Sequence, residues 1–259
     1  MVQRHWSLSR DPFAVGGEPF VASPTHLEAL ERLRHAIEAG QQRATLRSAA
    51  GLGKSAVLGR LLAAVKGPTV RIARATSPVD GPSMLASLAE GLGSRPLAGP
   101  TRGLAWRTLA DAVRLCRAQG LGVVLAIDDC QDLTETVDRR DLERLVHLDP
   151  HPKARLTIVE VGRDDPDGAD PWGLAIRLEP LTRGEAADYL ATKLAAAGRS
   201  EPTFTPRAIT RWHALAGGVP RGLERLAALA LIAGAVRGLE IITPEVVEGV
   251  AAECRGAVA

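Results

Sequence analysis

The chain has 259 residues, enough to bury a real core without disulfides or a structural metal. Hydrophobic residues make up 46% and charged residues 24%, an ordinary globular balance. The 32 basic and 30 acidic side chains leave a formal charge of +2, which excludes a strongly basic coat protein for nucleic acid and an acidic tail.

That small net charge conceals a polarity along the chain. Residues 30–118 carry 14 basic and 5 acidic side chains, and residues 119–177 carry 7 and 13. Lysine is scarce, with only Lys54, Lys66, Lys153 and Lys193. Three scattered cysteines, Cys116, Cys130 and Cys254, form no CxxC pair and point to a reducing compartment. No apolar run follows the first basic residues, so no signal peptide is expected. The longest apolar run, 226–236, is too short to span a bilayer. A soluble, cytoplasmic protein is expected.

The first predicted helix is 24–39, with Ser23 as cap, Pro24 in the first turn and Gly40 at the end. Leu27, Leu30, Leu33 and Ile37 make its apolar face. A strand at 43–47, a small-residue loop at 48–53 and a helix at 54–65 follow. A second strand is expected at 69–73, then helices at 82–92 and 102–119. The latter has an apolar face of Trp106, Leu109, Ala110, Val113 and Cys116, with Arg102, Arg107, Arg114 and Arg117 largely off it. Residues 123–127 are continuously apolar, as in a strand buried on both faces, and run into Asp128 and Asp129. A helix at 140–147 and strands at 155–161 and 175–178 complete an alternation that predicts a parallel sheet flanked by helices. Four helices are then expected, at 184–197, 206–216, 221–236 and 244–254. The division is a domain over 1–180 and an all-helical unit over 181–259.

The strongest chemical signal is Ser48-Ala49-Ala50-Gly51-Leu52-Gly53-Lys54-Ser55, between a predicted strand and a predicted helix. This is the phosphate-loop arrangement, with Ser48 where the pattern has its first glycine. Gly51 and Gly53 let backbone N–H groups face phosphates, and the helix N-terminus adds partial positive charge. Lys54 suits the β- and γ-phosphates, and the Ser55 hydroxyl suits Mg²⁺. Such a site needs an acidic residue at the end of a neighbouring buried strand. Asp128 is that metal candidate, and Asp129 is then placed to orient and deprotonate the attacking water. The bland alternatives are a chance Gly-Lys-Ser at a helix start and an ordinary Asp-Asp turn; the conjunction favours nucleotide binding.

With these motifs the chain resembles an AAA+ ATPase of the general-secretion-pathway A (ExeA) type, within the group related to origin-recognition ATPases. His5-Trp6-Ser7-Leu8, Asp11-Pro12-Phe13 and the stretch from Ser23-Pro24 to Leu33 match its opening. Leu181-Thr182, Glu185 to Leu190, and Gly217-Gly218-Val219-Pro220-Arg221 match its lid. The resemblance implies a P-loop α/β fold with a five-stranded parallel sheet in the order 5-1-4-3-2 and a C-terminal helical lid. It implies ATP and Mg²⁺ as ligands, and Arg221 as the sensor 2 residue that contacts the γ-phosphate. A solvated arginine after a Gly-Gly-Val-Pro turn is the rival reading of Arg221.

Three positions depart from the family's pattern. Asp129 stands where glutamate is frequent, and it is one methylene shorter. The sensor 1 position falls on Arg163. The stretch 164–171 is short, and no arginine finger is obvious; Arg139, Arg140 and Arg163 are the candidates. The expectation is therefore an ATPase with slow turnover, and with protein partners in a secretion or envelope system. Homo-oligomers through AAA+ interfaces are also expected. Related secretion ATPases continue into a membrane span and a peptidoglycan-binding part, and neither is expected here. Two rivals stay open: a nucleotide switch on DNA, for which the arginines of 102–117 are the place to look, and a pseudo-ATPase scaffold. His147 and His151 are not expected to form a metal pair, because Pro150 interrupts the helix. Trp106, Tyr189 and Trp212 read as packing, and Phe13 as either core or adenine neighbour.

Overall fold

The computed structural model describes residues 1–14, 21, 23–149, 155–164 and 174–256. The expected short stretch from 165 onward, Pro150 and His151 lie outside the described residues. Two compact units are present: residues 26–50 and 54–178 form one, and residues 1–25, 51–53 and 179–259 form the other.

The first unit is built on strands β1 (Arg43–Arg47), β2 (Val70–Thr76), β3 (Gly122–Asp128), β4 (Leu156–Gly162) and β5 (Leu174–Arg177). They form one parallel sheet in the order β2-β3-β4-β1-β5, which is the expected order read from its other edge. Every residue of β3 and β4 is buried, so both faces of the sheet are covered. The alternation of side chains decides which neighbour each residue meets. Val123, Leu125 and Ile127 join one apolar cluster with Met84, Leu85 and Leu88 of α4 (Gly81–Gly91) and Leu109 and Val113 of α5 (Arg102–Ala118). Val124 and Ala126 are buried on the opposite face. The remaining helices of the unit are α2 (Pro24–Glu38), α3 (Lys54–Val65) and α6 (Thr136–Arg144). Asp80 and Ser83 form a capping box at α4, and Thr101 caps α5.

Two helical faces differ from the sequence reading. In α2 the buried stripe is His26, Ala29, Leu33 and Ala36, and Leu27 is 51% exposed. Leu33 belongs to both faces, while Ala29 and Ala36, one position before Leu30 and Ile37, take the other apolar buried places. Helix α6 begins at Thr136, four residues before the expected start, and a 3-10 turn over Leu145–His147 follows it. Its buried positions are Asp138, Asp141 and Leu142. Periodicity of apolar residues cannot report a face whose buried side chains are carboxylates.

The helical unit comprises α7 (Arg183–Ala196), α8 (Pro206–Ala216), α9 (Pro220–Val236) and α10 (Pro244–Gly256), with the short α1 (Val2–His5). Thr182 and Glu185 make a capping box at α7, and Thr205 caps α8. Trp6 and Trp212 are fully buried, and their indole N–H groups donate to Leu231 O and Leu223 O, each at 2.8 Å. Gly234 admits Trp6: a Cβ there would stand 2.7 Å from the indole ring. Phe13 packs against this helical core, and Tyr189 donates to Glu224 at 2.6 Å. Helix α1 was not foreseen, because four residues are too few to show a period.

Among the described residues no helix is long and apolar enough to cross a membrane.

Candidate nucleotide site

The phosphate loop leaves the C-terminal end of β1 and closes into the N-terminus of α3. Gly51 and Gly53 take φ values of +84° and +90°, which side chains rarely tolerate, so these two glycines are demanded by the turn. Ser48 takes no positive φ, so nothing in its backbone calls for glycine. Its hydroxyl is instead used, accepting from the Lys54 ammonium at 3.2 Å. Lys54 is only 8% exposed and also donates to the carbonyls of Ser48 and Ala49, each at 2.9 Å. Burial lowers the Lys54 pKa from its ordinary value, against the opposing attraction of Asp129.

Ser55 stands in the first turn of α3, and its hydroxyl donates to Asp128 Oδ1 at 3.2 Å. Asp128 ends β3 and is 1% exposed. Its second oxygen accepts from Arg74 of β2 at 2.5 Å. Asp129 leaves the strand at φ +58°. Its two carboxylate oxygens accept from Ser77 at 2.9 Å and Gln131 at 3.1 Å. Burial by itself would raise the Asp129 pKa. The hydrogen bonds from Gln131 and Ser77, with the Lys54 and Arg163 charges, outweigh burial and hold it below the ordinary 3.8. Asp129 is therefore ionised at neutral pH, as a residue that accepts a proton must be.

The sheet unit thus gathers Ser48, Lys54, Ser55, Asp128 and Asp129 at the C-terminal ends of its strands, where open α/β sheets bind ligands. The donors suit a hydrated Mg²⁺, which takes oxygen ligands and keeps several waters. A serine hydroxyl beside one buried carboxylate is such a donor set. Among the described residues no three His, Cys, Asp or Glu side chains converge into a metal cage.

Residues 51–53 pack with the helical unit. The Arg221 N–H, in the first turn of α9, donates to Gly51 O at 3.3 Å. A Cβ on Gly51 would lie 3.0 Å from Val219 Cγ1.

Arg74, Ser77 and Gln131 escaped the sequence reading. Ser77 follows directly on Thr76, which pairs in register with Asp128, so strand order was the only route to it. Arg163 follows β4, and its N–H donates to Gln131 Oε1 at 3.1 Å.

The arginines of α5 are engaged elsewhere. Arg102 pairs with Asp138 at 2.6 Å and with Asp141, and Arg117 pairs with Asp149 at 2.9 Å. Arg114 pairs with Asp111 at 2.5 Å, while Arg107 is exposed. The Trp106 indole, read as packing alone, is half-buried and donates to Asp141 at 2.9 Å.

No family model matches the chain. General secretion pathway protein A of Aeromonas hydrophila is 27% identical over 251 residues, 92% of this chain and 46% of that protein. The chain thus spans about half the length of the curated relative it matches. Among solved structures, the ORC1 protein of Aeropyrum pernix in complex with DNA superposes with a TM-score of 0.73 at 20% identity. That match covers 94% of this chain and 68% of that one. Cdc6p of Pyrobaculum aerophilum gives 0.68 at 22% identity, covering 92% and 69%. With the phosphate loop, the acidic end of β3 and the sheet order, these likenesses show a P-loop α/β fold shared with the ORC1 and Cdc6p structures, in a chain similar in sequence to general secretion pathway protein A.

Proposed function

We propose that the chain binds ATP with Mg²⁺ and hydrolyses it slowly, using the nucleotide cycle to switch the assembly of a partner complex. The observation that carries this reading is the cluster of Lys54, Ser55, Asp128 and Asp129 at the strand ends. The N–H groups at the start of α3 bind phosphate oxygens, aided by the helix dipole. Lys54 exchanges the carbonyls of Ser48 and Ala49 for the β- and γ-phosphates. Ser55 is a direct ligand of the metal, and Asp128 holds it through water. Mg²⁺, when bound, offsets the charge that develops on the phosphates. Asp129 orients a water and takes its proton. Arg221 contacts the γ-phosphate and carries its loss to the helical unit, a role resting on the resemblance of Gly217 to Arg221.

Slow turnover follows from Asp129. A carboxylate one methylene short of glutamate is misplaced by about 1 Å, an offset that can cost about a hundredfold. Protein partners of a secretion or envelope system, and self-assembly, are proposed from the likeness to general secretion pathway protein A. The competing proposal, a nucleotide switch on DNA, draws on the likeness to a protein solved in complex with DNA. It draws less on α5, whose arginines are largely committed to carboxylates.

Steady-state ATP hydrolysis with and without duplex DNA separates the two. Turnover unchanged by DNA, with no salt-sensitive retention on DNA at low ionic strength, favours the protein partner. Lys54→Ala should abolish ATP binding; retained affinity overturns the site assignment.

A further inference from the structure

We propose that Arg74 is a built-in competitor of the metal at Asp128, holding that carboxylate until magnesium replaces its guanidinium. The inference rests on the nucleotide-site reading and concerns a residue that reading does not use. A carboxylate as buried as Asp128 demands a counter-charge and filled lone pairs. Arg74 supplies the charge at 2.5 Å, and Ser55 fills the other oxygen at 3.2 Å. The sheet dictates this placement. Arg74 pairs in register with Ala126, and Thr76 with Asp128, so the Arg74 side chain shares the face of Asp128 two residues back along the strand.

The Arg74 contact stands beside the Ser55 hydroxyl and the carboxylate that would hold the metal. A metal ligated by a lone pair of the Ser55 hydroxyl leaves its O–H donating to Asp128, so that hydrogen bond persists and the Arg74 guanidinium is the cation that the metal must replace at the carboxylate. A divalent cation a few ångströms from the guanidinium also repels it. Magnesium binding therefore displaces Arg74 from Asp128. The displaced side chain has somewhere to go, because 35% of it already meets solvent while Asp128 is 1% exposed. One consequence is that magnesium alone binds poorly, and the site takes the metal chiefly when nucleotide brings it.

The test uses the full chain as wild type, Arg74→Gln, Arg74→Lys and Lys54→Ala. ATP affinity is measured by calorimetry across a MgCl₂ series that begins in EDTA. Melting temperature is measured in EDTA and in MgCl₂ without nucleotide. Arg74→Gln should reach half of its magnesium-induced gain in ATP affinity at about tenfold lower MgCl₂ than wild type, and Arg74→Lys should follow wild type. In EDTA, Arg74→Gln should melt below wild type, because Asp128 has lost its counter-charge, and MgCl₂ alone should recover more for it than for wild type. Equal magnesium midpoints, or a midpoint that rises in Arg74→Gln, overturn the proposal. Failure of the nucleotide reading shows differently, as wild-type ATP binding no better than that of Lys54→Ala. In that case the melting arm still decides Arg74: equal stabilisation of both proteins by MgCl₂ refutes it.

Discussion

Arg102→Ala tests whether the arginines of α5 hold the fold or serve a ligand. The Asp138 and Asp141 side chains are 5% and 2% exposed, and Arg102 pairs with both. Removing the guanidinium leaves two buried carboxylates, with the Trp106 indole as a remaining donor to Asp141. Breaking a buried pair costs about 3–5 kcal/mol. Arg102 itself is 36% exposed, so water reaches the site and about 2–3 kcal/mol is the better figure. At about 2–4 °C per kcal/mol for a chain of this size, the melting transition should fall by roughly 4–12 °C. Arg107→Ala, on the same helix but exposed, should stay within about 0.5 kcal/mol of wild type. Differential scanning calorimetry of the two variants gives the comparison directly. A triple variant, Arg102→Met with Asp138→Asn and Asp141→Asn, should recover most of the loss, since it removes both sides of the pairing. If Arg102→Ala melts with wild type, or Arg107→Ala melts as low as Arg102→Ala, the pairing contributes nothing and the argument from burial fails.

Asp129→Asn should keep ATP binding and lower turnover by about a hundredfold or more, the usual scale of a lost general base. Asp129→Glu should raise turnover if reach is what limits it; single-turnover hydrolysis measures both. The same carboxyl bears on acid stability. Its folded pKa lies below 3.8, so its contribution is complete above that value and is lost as the pH falls through the folded pKa. The wild-type acid-unfolding curve should therefore be steeper than that of Asp129→Asn below pH 3.8 and parallel to it above. Gly51→Ala forces a side chain to φ +84° with its Cβ 3.0 Å from Val219. It should abolish measurable ATP affinity and destabilise the protein by about 1–3 kcal/mol. Unchanged affinity in a calorimetric titration would mean that the loop does not need this turn to bind phosphate.

Much of the architecture could be read before any coordinates. The bounds of β1, α3 and α8 coincide with the sequence reading, because a breaker or a change of period marks each end. The phosphate loop and the Asp128–Asp129 pair were legible for the same reason, as contiguous motifs between a strand and a helix. Ser48 was read as a departure from glycine. The backbone shows it needs none there, and its hydroxyl accepts from Lys54 instead. Arg74, Ser77 and Gln131 were invisible, since each meets its carboxylate only through strand adjacency or a local turn after β3.

The charge polarity of the chain divides in the same way. The sequence by itself determined that a basic stretch precedes an acidic one, and that one of four lysines ends the phosphate loop. Only the tertiary structure decided what those charges do. Arg43 and Arg47 of β1 meet Glu160 of β4, Arg74 meets Asp128, Arg102 meets Asp138 and Asp141, and Arg117 meets Asp149. Each pair joins the basic stretch to the acidic one across 32 to 117 residues of chain. Hydrophobic periodicity and turn residues act over a few neighbours, so sequence displays them. A buried carboxylate finds its cation through strand order and helix packing, which no local spacing encodes.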